Sequence, residues 1–98
     1  MIATGKVCME FEWDPKKAAA NVRKHDVTFQ EAATVFGDPL AVTFDDPDHS
    51  VSENRQITFG LSLQKRFLIV SHTERGGCTR IINARLMDRN ERKIYEEG

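Results

Sequence analysis

Hydrophobic and polar positions alternate along this chain with two different periods, and the changes of period divide it into short elements. In residues 7–13, Val7, Met9, Phe11 and Trp13 fall on one side and Cys8, Glu10 and Glu12 on the other, as in a half-buried strand. Asp14-Pro15 then reads as an N-cap and a first-turn proline, and the alanine-rich residues 16–25 propagate a helix that ends before Asp26. Thr28, with Glu31 three residues on, has capping-box spacing. It predicts a second helix reaching Phe36, with Phe29, Ala32, Ala33, Val35 and Phe36 on its apolar face and Gly37-Asp38-Pro39 as its stop.

From there the period shortens to two. Residues 40–44 are a short β-prone run, and residues 45–50 are a polar loop by composition. Residues 55–61 alternate, with Arg55, Ile57, Phe59 and Leu61 on one face. Residues 67–73 and 79–86 are joined by Gly76-Gly77, a dipeptide that accepts the positive φ angles of a tight hairpin. Regular pairing across that turn sets Thr73 against Arg80, Ser71 against Ile82 and Leu68 against Arg85. Asp88 and Glu91 repeat the capping logic for a terminal helix through Arg89, Arg92 and Tyr95. The expected fold is α+β, a single antiparallel sheet with helices packed on one face and the other face open.

The chain has 98 residues, 40% hydrophobic and 30% charged, which suits one domain with one core. A formal charge of -1 argues against nucleic acid until the two halves are separated. Residues 1–54 carry five basic and ten acidic side chains, whereas residues 55–98 carry nine basic and five acidic, including seven of the eight arginines. The arginines fall in and beside the later strands, so the open face or its rim should be basic. No apolar run is long enough for a membrane helix and the N-terminal residues lack a secretory pattern, so a cytoplasmic protein without membrane contact is expected. Cys8 and Cys78, seventy positions apart, fit no metal or redox motif.

Several side chains could carry chemistry. Asp45, Asp46, Asp48, His49 and Glu53 have hard-cation composition but match no calcium loop, lacking its glycine and interrupted by Pro47, so no metal site is assigned. Asn21, Lys24 and His25 share the end of the first helix, with Asn21 and His25 four apart on one face; there His25 suits a cap that favours the helix dipole and Lys24 a solvated position. Trp13 is either core or a platform for a stacked base. Arg55, Arg75, Arg80 and Arg85 outnumber their nearest acids, and with His72 they have the composition expected around a phosphodiester. Because Arg80 and Arg85 are an odd number of residues apart, a regular strand would put them on opposite faces, with His72 on the face of Arg85. No P-loop, dinucleotide fingerprint, nucleophile elbow or H-E-x-x-H occurs.

The series Phe11-Glu12-Trp13-Asp14, Lys17-Ala18, Asn21, Lys24-His25, Val27, Phe29, Glu31-Ala32, Val35-Phe36 and Asp38-Pro39 resembles the N-terminal signature of the BrnT toxins. His49-Ser50, Glu53, Arg55, Gly60, His72-Thr73, Arg75, Arg80-Ile81-Ile82, Ala84-Arg85, Glu91-Arg92 and Tyr95-Glu96 continue it in order. Asp26 and Asn83 depart from the family's usual glycine and serine. Residues 1–8 extend beyond its usual start, with Met9 as an alternative initiator and residues 9–98 as the core of a single domain. The resemblance implies a RelE-like endoribonuclease toxin that inhibits translation. It also implies a BrnA-type antitoxin that neutralises the toxin in a hetero-oligomer and represses their operon, so that DNA is met only through the antitoxin.

Metal-free cleavage of RNA needs a base for the ribose 2′-OH, cations around the phosphate and an acid for the departing oxygen, with no cofactor. The implied assignments are Arg80 and Arg85 with Arg55 as the cations, His72 or Lys24 for proton transfer and Glu53 as orienter. Arg75 and Trp13 would contact RNA. The competing expectation is a non-catalytic subunit that acts only by binding a DNA-binding antitoxin.

Overall fold

The computed structural model describes residues 11–46 and 54–98; the expectations that fall on residues 1–10 and 47–53, Glu53 among them, lie outside the described residues. The elements are β1 (Phe11–Glu12), α1 (Pro15–His25), α2 (Phe29–Thr34) continued by a 3₁₀ turn (Val35–Gly37), β2 (Val42–Asp45), β3 (Arg55–Leu61), β4 (Phe67–Arg75), β5 (Cys78–Leu86) and α3 (Arg89–Glu97). One sheet orders them β1-β5-β4-β3-β2. The expected α+β architecture with a mostly antiparallel sheet is therefore present; β1 alone pairs parallel, through Phe11 with Thr79 and Glu12 with Arg80.

Local chemistry accounts for the element ends. Asp14 accepts the Lys16 N–H at 2.8 Å and Pro15 sets the first turn of α1, while Asp26 closes that helix in the left-handed region at φ 59°, donating its N–H to the Val22 carbonyl. Thr28 accepts the Glu31 N–H, but the second half of the expected capping box does not form. The Glu31 carboxylate turns away to Ser62 (2.7 Å) and Arg66 (Nε at 3.0 Å), because a buried charge gains more from a guanidinium fork than from one backbone N–H. At α3 the box is complete, with Asp88 and Glu91 each accepting the other's N–H. Gly76 and Gly77 take φ 61° and 85° at the hairpin turn. Gly60 serves a different need: a Cβ there would stand 2.6 Å from Val35 Cγ1, so the 3₁₀ turn packs directly on the β3 backbone.

The helices do not share one face. Val27, Phe29, Ala32 and Val35 pack against Leu68, Val70, Ile81 and Ala84 as the main core, with α1 and α2 on that inner face. Full burial of each valine, leucine, isoleucine or phenylalanine side chain among these contributes roughly 1.5–3 kcal/mol. On the outer face, Tyr95 of α3 packs with Phe59 and Ile69, flanked by Ile57, Leu61 and Phe67. The Tyr95 hydroxyl donates to Asp38 at 2.7 Å and Arg92 lies 3.9 Å above the Phe67 ring, which fixes α3 over one end of that face. The sequence expectation of helices on one side misses this, because α3 presents only Tyr95 as a fully buried contact.

Candidate functional site: an arginine row on the outer face of the sheet

The β4–β5 hairpin departs from regular pairing at one place, and that departure builds the site. Thr73 faces Arg80 as expected, but Ser71 faces Asn83 and Leu68 faces Leu86, with a register shift between Ser71 and His72. One extra residue is accommodated in β5 around Ile82, as in a β-bulge. Ile81 and Ala84, three apart, therefore both reach the inner core. For the same reason Arg80 and Arg85 emerge on one face: their partners Thr73 and Ile69 are an even number of residues apart on β4. The odd-spacing argument against a shared face is thus overturned by the bulge. Arg55 faces Thr73 from β3, so Arg55, Thr73 and Arg80 form a row across three strands, with Glu12 next to Arg80 on β1.

The arginines of that face have different surroundings. Arg80 Nη1 lies 3.2 Å from Glu12 Oε2, a partly exposed pair. Arg85 is gripped by Glu91 of α3 through two bonds of 2.8 Å, and its Nη1 also donates to the Leu86 carbonyl. Hydrogen bonds from Arg85 hold the Glu91 carboxyl below its usual range despite partial burial. Arg85 is therefore an anchor for α3. Arg75 is exposed near the hairpin tip, two residues from Thr73 and on the same face, as expected. Arg66 and Arg92 stand outside the row, paired with Glu31 and Glu96.

Three expected site residues are not brought to this row. His72 faces Ile81, so it lies on the inner face and not on that of Arg85; it is 4% exposed, with its ring edge-on to Phe36 at 4.8 Å and Nε2 2.7 Å from Thr58 Oγ1. Trp13 is half-buried against the main core, edge-on to Phe29 at 5.9 Å and away from the row, as its core reading expects. Lys24 lines a shallow cleft of about 250 Å³ with Lys17, His25, Asn21 and Asn83, where α1 meets β5. Among the described residues no group of three or more His, Cys, Asp or Glu is arranged to hold a metal.

The buried histidine gives stability an acid dependence. Burial pushes the His72 imidazole below its usual 6.5, opposed weakly by the charge of Glu74. The unfolded chain then binds the proton more readily, so stability decreases as pH falls below about 6.5. A second loss is expected at lower pH. Glu31 is held below 4.5 chiefly by its hydrogen bond from Arg66, and that stabilisation is present above 4.5 and lost as pH falls through the folded value. Urea midpoints measured at pH 8, 6.5, 5 and 4 should fall in two stages, with the first stage absent in His72→Gln. Equal midpoints at pH 8 and pH 5 would remove this account.

The signals that sequence reasoning missed are specific. Adjacent Ile81 and Ile82, followed by Ala84, break the alternation of β5, and that break is the trace of the bulge. Glu12 reads in the sequence as a polar strand position and as part of the Phe11-Glu12-Trp13-Asp14 series, and neither signal places it beside Arg80. Among the described residues, no helix is long and apolar enough to cross a membrane.

Known proteins share this fold. A family model described as the ribonuclease toxin BrnT of type II toxin–antitoxin systems matches residues 13–91. Among solved structures, the crystal structure of the Brucella abortus ribonuclease toxin BrnT superposes with a TM-score of 0.65 at 18% identity, covering 82% of this chain and 97% of that one. No curated protein sequence matches.

Proposed function

The chain belongs to the BrnT family, the ribonuclease toxins of type II toxin–antitoxin systems, and from that premise we propose that it cleaves RNA without a metal ion, at the arginine row of the outer face. The observation that carries this reading is the alignment of Arg55 of β3 and Arg80 of β5 on either side of Thr73 of the intervening β4, at the end of the outer face away from Tyr95 of α3. A phosphodiester seated there meets two guanidinium groups, whose planar forks match its oxygens. As the ribose 2′-oxygen attacks, charge grows on those oxygens and the arginines stabilise it most where it is greatest. Glu12, 3.2 Å from Arg80, accepts the 2′-OH proton. The departing 5′ oxygen takes a proton from water. The products are a 2′,3′-cyclic phosphate and a 5′-hydroxyl.

Arg75 extends the cationic track toward the hairpin tip, and Arg85 acts through α3. His72 has a structural role in this reading, and Lys24 is a cation at the edge of α1. Glu53 keeps its expected role as orienter. As a type II toxin the chain has an antitoxin protein as partner. We take that partner to be of the BrnA type, working with the toxin in the cytoplasm and covering the basic face with an acidic segment.

Incubating the purified, partner-free protein with single-stranded RNA, with and without EDTA, tests the proposal. Cleavage that persists in EDTA and leaves cyclic phosphate ends is the expected result. Cleavage abolished by EDTA would return attention to the acidic residues around Asp45 and Asp46, and no cleavage would favour a subunit that only binds its partner.

A further inference from the structure

Beside the arginine row lies an aromatic side chain that the cleavage chemistry does not use. Phe44 of the edge strand β2 faces Ile57 of β3, and so stands on the outer face one row along from Arg55. Diagonal neighbours of this kind have Cα atoms roughly 7–8 Å apart. The Phe44 ring meets Phe59 edge-on, with centroids 5.4 Å apart and an interplanar angle of 73°. Edge contact with Phe59 leaves part of the ring uncovered, and the residue is 41% exposed. Other described phenylalanines of the sheet and helices are more covered: Phe29 and Phe59 are buried, and Phe11 and Phe36 are half-buried in the inner core.

Phe44 is an exposed aromatic at a strand edge, diagonal to Arg55, and its exposure forfeits part of what full burial of the ring would contribute. Single-stranded RNA has the complementary layout, an anionic backbone with bases that project to one side. Proteins that hold such strands set cationic side chains along the backbone and an aromatic ring under a base. We propose that Phe44 is the base-stacking position of the RNA site, so that a nucleobase lies on its exposed ring face while the neighbouring phosphate sits at Arg55 and Arg80. This inference rests on the ribonuclease reading. It adds that the substrate is recognised in single-stranded form, through a base adjoining the scissile phosphate. Stacking is tolerant of base identity, so the selection is for an unpaired base more than for a particular one.

Binding separates this inference from the cleavage proposal. The probes are a short fluorescein-labelled single-stranded RNA with 2′-O-methyl riboses, which cannot be cut, and the same backbone with abasic sugars, both followed by fluorescence anisotropy. Wild-type protein should bind the base-bearing probe about 5- to 150-fold more tightly than the abasic one. Phe44→Leu, which keeps an apolar contact to Phe59, should lose most of that preference, and Phe44→Trp should retain it. If Phe44→Leu does not fold, the wild-type preference and the Trp variant decide the matter. Equal wild-type affinity for the two probes overturns the inference while leaving the cleavage proposal standing, and so does unchanged affinity of Phe44→Leu for the base-bearing probe. Unchanged RNA affinity with weakened neutralisation by the antitoxin would instead mark Phe44 as a protein contact. Failure of wild-type protein to bind either probe would overturn both readings.

Discussion

Arg80→Ala should reduce RNA cleavage by about 10²–10³-fold with little change in thermal stability. The expected activity loss is that of removing one preorganised donor from a phosphate that gains charge in the transition state. The small stability change follows from the surroundings of Arg80: its partner Glu12 keeps 38% of its side chain in solvent, so it is not stranded when the guanidinium goes, and an exposed pair contributes at most about 1 kcal/mol. Arg80→Lys should recover part of the activity, because an ammonium keeps the charge but not the fork. Arg85→Ala should behave in the opposite way. Its two bonds to Glu91 hold α3 on the sheet, so its removal should lower Tm and reduce cleavage less than tenfold at temperatures where the variant is folded. Cleavage rates and melting curves of the two variants, measured side by side, provide the check. If Arg85→Ala is inactive with an unchanged Tm while Arg80→Ala still cleaves, the roles are reversed.

The contrast between these arginines also shows what could be read from the sequence. Period and caps carried most of the fold: residues 55–61 alternate and form β3 at those bounds, Gly76-Gly77 turns the hairpin, and Asp14, Thr28 and Asp88 each cap the helix that follows. Local signals of this kind depend on neighbours in the chain, which the sequence lists in order. The register of β5 depends on how an extra residue is absorbed against β4, and regular pairing, the simplest reading, puts Arg85 on the wrong face: it separates Arg85 from Arg80 and sets it on the face of His72. Glu31 shows the same limit. Its capping-box spacing is real, but Arg66, thirty-five residues away, competes for the carboxylate and wins. The charge split had a similar outcome. The arginine-rich second half does supply the row on the outer face, yet Arg66, Arg85 and Arg92 are paired with acids and belong to the scaffold.

Asn21→Ala should destabilise the protein by about 3–5 kcal/mol, a large share of the stability of a domain this size. Among the described residues, β1 pairs with β5 at Thr79 and Arg80 alone, and no described strand meets the outward backbone groups of Ala84. The Asn21 side chain takes the place of that strand. Its Nδ2 donates to the Ala84 carbonyl at 2.8 Å and to the Val27 carbonyl at 2.9 Å, and its Oδ1 accepts the Ala84 N–H at 3.2 Å. Asn21 is 5% exposed, so alanine would leave three backbone groups without their side-chain partner. Asn21→Asp should be worse at pH 7, since a carboxylate has no N–H for the two carbonyls and is charged in a buried place. Burial raises the folded pKa of such a carboxyl, so Asn21→Asp should be more stable relative to wild type at pH 5 than at pH 7, whereas the deficit of Asn21→Ala should be similar at both. Urea unfolding of the three proteins at the two pH values measures this. An Asn21→Ala deficit below about 1 kcal/mol would mean that the edge of β5 is satisfied in another way. Asn21 fastens α1 to β5 one residue past the bulge, and the bulge brings Arg85 to the face of Arg80. Its loss should therefore lower the temperature at which cleavage fails, while leaving the cleavage rate of the folded protein near that of wild type.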